Sequence, residues 1–401
     1  MRLLYVANAR IPSRKAHSYQ IVQMCDAFAE TGFEVELLVP DRRKPPEAPD
    51  ESIGEYYDVP ATFTVTRAPC LDLLSYAPRL PAALARLVFY LQALTFTASA
   101  LWLTARRDPD AVYSRAALYA LLGALPFGRR TVYEAHRGPP RWPFDRLAGA
   151  GFDRLRGVVA ISEGLREVWR ERTATPIVVE PDAVDLARFP ERSRADARAE
   201  VGFDSDATLV TYAGSIQPWK GVQTLVRAAD RLPADHEVCI VGGTDEQIAW
   251  LRDAVGAVPD SVTLVGRVPP DRVPAYLRAS DVLVVPNTAD REISRRYTSP
   301  LKVFEYMAAE RPIVASDLPS LREVLDDETA YFFAPGDPDS MADAIVRVTD
   351  DPDRAAAVAA WARERVERYT WERRAERIGE TFFDGDGADP DATEGPERCT
   401  S

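Results

Sequence analysis

The chain has 401 residues, 46% of them apolar, and a net charge of −13 from 49 basic and 62 acidic side chains. That length exceeds one ordinary core and implies two domains, while the acidic balance excludes general nucleic-acid binding. Four cysteines, none in a Cys-x-x-Cys pair, exclude a zinc knuckle and a dithiol redox motif and fit a reducing cytosol.

The opening "MRLLYVAN" reads as a strand with no apolar core or cleavage site behind it, so no signal peptide is expected. Further strand candidates follow at 34–40, 62–67, 110–114, 130–135, 157–162 and 176–180, with helical patterns at 18–31 and 163–172. The loop after the first strand, "ANARIPSRKAHS", contains no glycine, which removes the dinucleotide fingerprint and disfavours an NAD-dependent oxidoreductase. His17 lies in that loop, and His136 ends "RTVYEAH" at a strand's carboxyl end. Glu134 alternates with His136 and can orient its imidazole, unless the chain bends at Ala135 and turns the carboxylate away.

Residues 87–105 run 19 positions without a charge, near the minimum for a membrane-spanning helix. The run holds one Gln, three Thr and one Ser, and a strand follows almost at once. It is read as a buried or half-buried helix, with a membrane-interface surface as the alternative.

A second strand series begins at 208–214 and continues at 236–242, 262–266, 282–286, 312–316 and 330–333. Two series of alternating strands and helices predict an α/β chain of two doubly wound, Rossmann-like domains. The boundary is placed at 185/186, in a polar stretch that has room for a short helix and no strand. Segment 384–401 is acidic, without aromatics, and expected to be disordered. Ligands of such sheets bind beyond the carboxyl ends of the strands, so with two domains face to face the expected site is the cleft between them.

Only four of the basic residues are lysines, and two of these stand at helix starts in the second domain. In "TSPLKVFEYMAAERPIVASD", Ser299 is the expected N-cap and Pro300 the first helical residue, which puts Lys302 third. A cation there opposes the helix dipole at a cost of about 0.3–1 kcal/mol. Lys220 precedes the amphipathic run 222–229 in the same way. A bound pyrophosphate would reverse both penalties. The plainer alternatives are a Lys302–Glu305 pair and a merely surface-exposed Lys220. Glu305 can accept from the vicinal hydroxyls of a ribose, or be a solvated helix residue.

At these residues the chain resembles the family 4 retaining glycosyltransferases of the GT-B fold. The likeness runs over about residues 1–380 and rests on six segments in order: "SRKAHSYQIVQMCDAF", "VYEAH", "VVAISEGLREVW", "EPDAVDLARF", "YAGSIQPWKGVQTLVRAA" and "SPLKVFEYMAAERPIVASDLPSLREVL". The resemblance implies an acceptor-side domain over 1–185 and a nucleotide-sugar domain over 186–365. A C-terminal helix over 366–383 would pack back on the first domain.

It further implies that Lys220 contacts the diphosphate and Glu305 the ribose, that the backbone of Ser299, Pro300 and Leu301 caps the phosphates, and that Arg267 and Val268 touch the base through main chain. His136 is the implied active-site histidine, and His17 lies near the donor phosphates or the acceptor. No metal or other cofactor is expected, because lysines and helix N-termini neutralise the phosphates.

Two departures stand out. Tyr297 replaces a glutamate that holds the donor sugar, a role open to Asp290, Glu292 or the tyrosine itself. Ser215 replaces an arginine, whose charge Lys302, Arg291, Arg295 or Arg296 can supply.

The function read from the sequence is transfer of a sugar from a nucleotide-diphosphate donor to a glycan, lipid-linked or small-molecule acceptor. The expected place is the cytoplasm, at the inner face of the cell membrane where peripheral contact occurs. The alternatives are a nucleotide-sugar 2-epimerase and a non-catalytic nucleotide-sugar-binding relative.

Overall fold

The computed structural model describes residues 1–13, 15–43, 52–139, 150–203 and 206–383. The acidic segment 384–401 lies outside the described residues. The chain divides into two compact units. The first comprises Met1–Ile161, Leu165–Glu180 and the chain from Trp371; the second comprises Ser162–Gly164 and Pro181–Thr370. Apart from the short stretch Ser162–Gly164, the chain passes to the second unit at Glu180/Pro181, where 185/186 was expected, and returns at Trp371, where 366 was expected.

The first unit is built on seven parallel strands: β1 (Arg2–Val6), β2 (Glu34–Pro40), β3 (Thr64–Ala68), β4 (Ala111–Ser114), β5 (Thr131–Ala135), β6 (Gly157–Ala160) and β7 (Ile177–Val179). Their order across the sheet is β3-β2-β1-β4-β5-β6-β7. The inner strands are short and buried along their length, as parallel strands covered on both faces must be, and mostly apolar, with Ser114, Thr131 and Glu134 as their buried polar positions. The helix Trp371–Phe382 packs on the helix Ala16–Glu30, where Trp371 meets the Tyr19 ring edge-on.

The second unit repeats the plan with β8 (Thr208–Ala213), β9 (His236–Val241), β10 (Val262–Gly266), β11 (Val282–Val285), β12 (Ile313–Ser316) and β13 (Tyr331–Phe333), all parallel and ordered β10-β9-β8-β11-β12-β13. Alternation along each strand divides its side chains between two cores. Leu209, Cys239, Leu283 and Val285 join one, and Val210, Tyr212, Ile240, Val282 and Val284 join the other. The polar stretch after residue 185 forms the helix Arg194–Val201, capped by Ser193 and ended by Gly202.

In both sheets the strand order reverses between the first and fourth strand of the series, that is between β1 and β4 and between β8 and β11. The carboxyl ends of those strands splay the flanking loops apart and open a crevice, the usual ligand position in such sheets.

Candidate functional site

At the β8/β11 switch point the loop after β8 runs through Gly214 and Ser215 into a single 3-10 turn, Pro218–Lys220. Gly221 then takes a left-handed φ of 71° and starts the helix Val222–Ala229. Only glycine fits here, since a Cβ would collide with the Pro286 carbonyl. The contact fastens this loop to the one after β11, where the Thr288 N–H donates to Trp219 O at 3.0 Å. Lys220 is half-buried, with its ammonium 4.1 Å from the Trp219 ring centroid. Desolvation lowers its pKa to about 8.

Lys302 reaches the same place from the other side. Its Nζ lies 3.8 Å from the Tyr212 ring centroid and 3.3 Å from the point where a Cβ on Gly214 would stand. The residue is 7% exposed and its Nζ has no hydrogen-bond partner among the described residues. Desolvation, then repulsion from Lys220, holds this ammonium well below the usual lysine range against the pull of Glu305. The two lysines therefore share one electrostatic neighbourhood. Asn287 is fully buried with both side-chain amide atoms unpartnered, and the buried Thr288 hydroxyl is unpartnered too.

Buried polar groups are almost always satisfied, because an unmade bond costs about 1–3 kcal/mol. Three such side chains at a switch point, Lys302, Asn287 and Thr288, fit an anionic ligand. Asn287 and Thr288 were missed in the sequence, although "VVPNT" sits directly after a strand, where ligand contacts are expected.

Several expected details change. Ser299 is not the N-cap, because its Oγ accepts from the Asp182 N–H at 2.8 Å. Pro300 occupies the cap position, the helix runs Leu301–Ala308, and Lys302 is its second residue. Glu305 is half-buried, and its Oε1 faces Arg188 Nη1 at 3.9 Å. Desolvation raises its pKa, against Arg188 and Lys302. Ser215 is exposed, and its carbonyl accepts from the Tyr212 hydroxyl at 2.8 Å. Of the residues expected to replace the charge missing at Ser215, Lys302 stands beside Gly214, whereas Arg295 is paired with Glu292. Glu292 also accepts from the Tyr297 hydroxyl at 3.0 Å, so two of the proposed substitutes for the missing glutamate engage one another. Asp290 is exposed. Arg267, exposed, and Val268, partly buried, follow β10 at the sheet's far edge.

In the first unit a different cluster occupies the carboxyl ends of β1, β4 and β5. Glu134 turns toward His136 rather than away, with Oε1 2.9 Å from Nε2. The same oxygen accepts from Arg374 Nη2 at 2.9 Å. The other carboxylate oxygen accepts from the Tyr5 hydroxyl at 3.2 Å and faces Arg115 Nε at 3.9 Å. Glu134 is 2% exposed and Arg374 fully buried. Desolvation pushes the Glu134 carboxyl up, but Arg374, Arg115 and His136 outweigh it and hold the group well below the usual carboxylate range. Desolvation, then Arg115, lowers the His136 pKa to about 4 despite Glu134. At neutral pH the imidazole is therefore uncharged. With Nε2–H donating to Glu134, Nδ1 is left as an acceptor.

His17 is not in the loop but in the first turn of the helix Ala16–Glu30, and its carbonyl accepts from Arg115 at 3.4 Å. Desolvation, then Arg115 and Lys15, lowers its pKa to about 4, and His136 contributes to that shift. Arg374 could not have been found by pattern, because 240 residues separate it from Glu134.

Two family models match, "Glycosyltransferase Family 4" over residues 18–188 and "Glycosyl transferases group 1" over 207–351. Between them they include Glu134, Arg115 and His136 of the first unit and Lys220, Asn287, Thr288 and Lys302 of the second, while Tyr5, His17 and Arg374 lie outside both matches. The chain belongs to glycosyltransferase family 4. It is 31% identical over 224 residues to phosphatidyl-myo-inositol mannosyltransferase of Mycolicibacterium smegmatis, covering 55% of each chain. The chain spans about half the length of the curated relatives it matches. Among solved structures it is similar to sucrose-phosphate synthase from Thermosynechococcus elongatus, with a TM-score of 0.75 at 22% identity over 94% of this chain and 97% of that one. It is also similar to Anabaena HepE in complex with UDP-glucose, with a TM-score of 0.69 at 17% identity over 95% and 99%. At these identities the two structures establish the fold, two parallel-sheet α/β domains of the GT-B type.

Proposed function

We propose that the protein is a retaining, metal-independent glycosyltransferase that moves a sugar from a nucleoside-diphosphate donor to a glycan, lipid-linked or small-molecule acceptor in the cytoplasm. The carrying observation is the pair of desolvated lysines at the β8/β11 switch point. Neither is in an ion pair among the described residues, and they repel one another. A diphosphate is the dianion that relieves both.

In this reading the diphosphate lies between Lys220 and Lys302, with the first N–H groups of the helix Leu301–Ala308 on its oxygens. As the glycosidic bond breaks, negative charge grows on that leaving group, and the lysines stabilise it where a divalent cation would otherwise serve. Glu305 takes the ribose hydroxyls, and the main chain at Arg267 and Val268 takes the base. Asn287 and Thr288 offer further polar contacts. Tyr297, Asp290 and Glu292 border the sugar, and His17 the phosphates or the acceptor.

Neutral His136 presents a hydrogen-bond acceptor to a sugar or acceptor hydroxyl, fixed in orientation by Glu134. Glu134 itself is unavailable as a nucleophile, since Arg374, Tyr5 and His136 already occupy its oxygens. That commitment supports attack from the leaving-group face over a covalent sugar–enzyme intermediate.

The test is a screen of UDP-, GDP- and ADP-sugars with a membrane extract as acceptor source. Transfer or donor hydrolysis should appear with one base and fall by at least about 10²-fold in Lys220→Ala and in His136→Ala. Tight nucleotide binding with no turnover of any donor would overturn the enzymatic reading.

A further inference from the structure

Exposed apolar surface is unevenly distributed. Of 15 large hydrophobic residues exposed among the described ones, 12 lie between Leu71 and Leu125. Most belong to the helix Ala82–Arg107. One face of that helix is committed to the fold. Phe96 and Ala100 enter a core with Leu4, Val6 and Val112, and Gln92 is fully buried against Asn8 and Arg42 at 2.9–3.3 Å. The opposite face carries Leu87, Leu91, Leu94 and Trp102, spaced four, three and eight apart so that they form one stripe, each 41–55% exposed. Near the start of the helix Leu84, Phe89 and Tyr90 are exposed as well. The neighbouring helix Ala117–Phe127 adds Leu122 and Leu125, the latter 79% exposed.

The electrostatics of this region also differ from the rest of the chain. Residues 73–107 contain four arginines and no carboxylate, in a protein of net charge −13. Arg107 is neutralised by Glu36 at 3.0 Å, which leaves Arg79, Arg86 and Arg106 exposed. Arg106 stacks over Trp102, with 4.5 Å between its guanidinium carbon and the ring centroid.

We propose that this face of the helix Ala82–Arg107 is a docking surface for an anionic lipid bilayer. A leucine stripe with amphipathic aromatics and bordering arginines is the composition that settles at the level of lipid headgroups. The helix is long and apolar enough to cross a membrane, yet its inner face is fixed in the core of the domain. It therefore lies along a bilayer rather than through one. A second copy of the chain fits less well, because two such faces would bring like charges together, whereas anionic headgroups attract them.

The proposal is tested by co-sedimentation of the full chain with phosphatidylcholine vesicles, with and without roughly a third phosphatidylglycerol. The wild type should bind the anionic vesicles at least about tenfold more tightly than the neutral ones, and the difference should fade in high salt. Leu87→Glu/Leu91→Glu should lose at least about tenfold in binding with an unchanged unfolding temperature, since both side chains face solvent. Should that variant misfold, Arg79→Glu/Arg86→Glu reads the same surface through its charge.

Folded wild type that ignores both vesicles would overturn the proposal, as would a folded leucine variant that binds like the wild type. A concentration-dependent dimer that the leucine substitutions abolish, without vesicle binding, would assign the face to a second copy. The assay involves no nucleotide, so its failure would leave the transferase reading standing.

Discussion

Glu134 in the first unit and Lys302 in the second are both buried ionisable groups at the strand ends of similar sheets, yet their surroundings are opposite. Glu134 is 2% exposed and meets Arg374, Arg115, Tyr5 and His136. Lys302 is 7% exposed and meets an aromatic face, a like charge and the more distant pull of Glu305. A satisfied buried network is complete without a ligand and can hold a neighbouring imidazole rigidly. An unsatisfied one raises the energy of the empty protein and recovers that energy when a counter-ion arrives. The first kind needs no ligand and the second favours one, so parallel substitutions in the two should give opposite results.

The largest effect is expected from Arg374→Met. It removes the main partner of a buried carboxylate and should cost about 3–5 kcal/mol of stability, read as a lower denaturant midpoint. An unchanged midpoint would mean that Glu134 is not held as an anion by this arginine. Next is Lys220→Ala, which should lower donor turnover by about 10²–10³-fold, or roughly 2.7–4 kcal/mol, with little loss of stability.

Lys302→Met is the direct counterpart of Arg374→Met, a buried cation exchanged for an apolar chain of similar length. Here the unliganded protein should gain about 1–3 kcal/mol, because an unmet polar group disappears, while affinity for nucleoside diphosphates falls. Destabilisation by this substitution would show that Lys302 is paired in solution.

The smallest effect is a pH slope. Folding lowers the His136 pKa from 6.5 to about 4, so the folded state binds fewer protons in that interval. The associated stability is present above pH 6.5 and is lost as pH falls through 4. Urea titrations of the wild type and His136→Asn should differ in slope by up to about 1.4 kcal/mol per pH unit across that window. Coincident slopes would contradict the desolvation of a neutral imidazole at this position.

The sheets were legible from the sequence because parallel strands leave continuous apolar runs, and all thirteen candidate strands appear within two residues of their expected starts. The lysines were legible because a cation at a helix start is locally unfavourable and invites explanation. Cap geometry was not: Ser299 is drawn from its expected cap role by the Asp182 backbone, more than a hundred residues away. The support of His136 was half legible. Its alternation with Glu134 could be read from the strand, but Arg374 arrives from a helix at the other end of the chain, beyond any local pattern. The uncharged run 87–105 showed that one face would be buried and left open what the other would meet.

In the proposed function a diphosphate reverses the desolvation that lowers the proton affinity of Lys220 and Lys302. Calorimetric titration of UDP, GDP and ADP at pH 8, in two buffers of different ionisation enthalpy, tests it most directly. With Lys220 titrating at about 8, binding of the preferred nucleotide should take up about half a proton or more, and less in Lys302→Met. Binding with no proton uptake, or with proton release, would contradict the account.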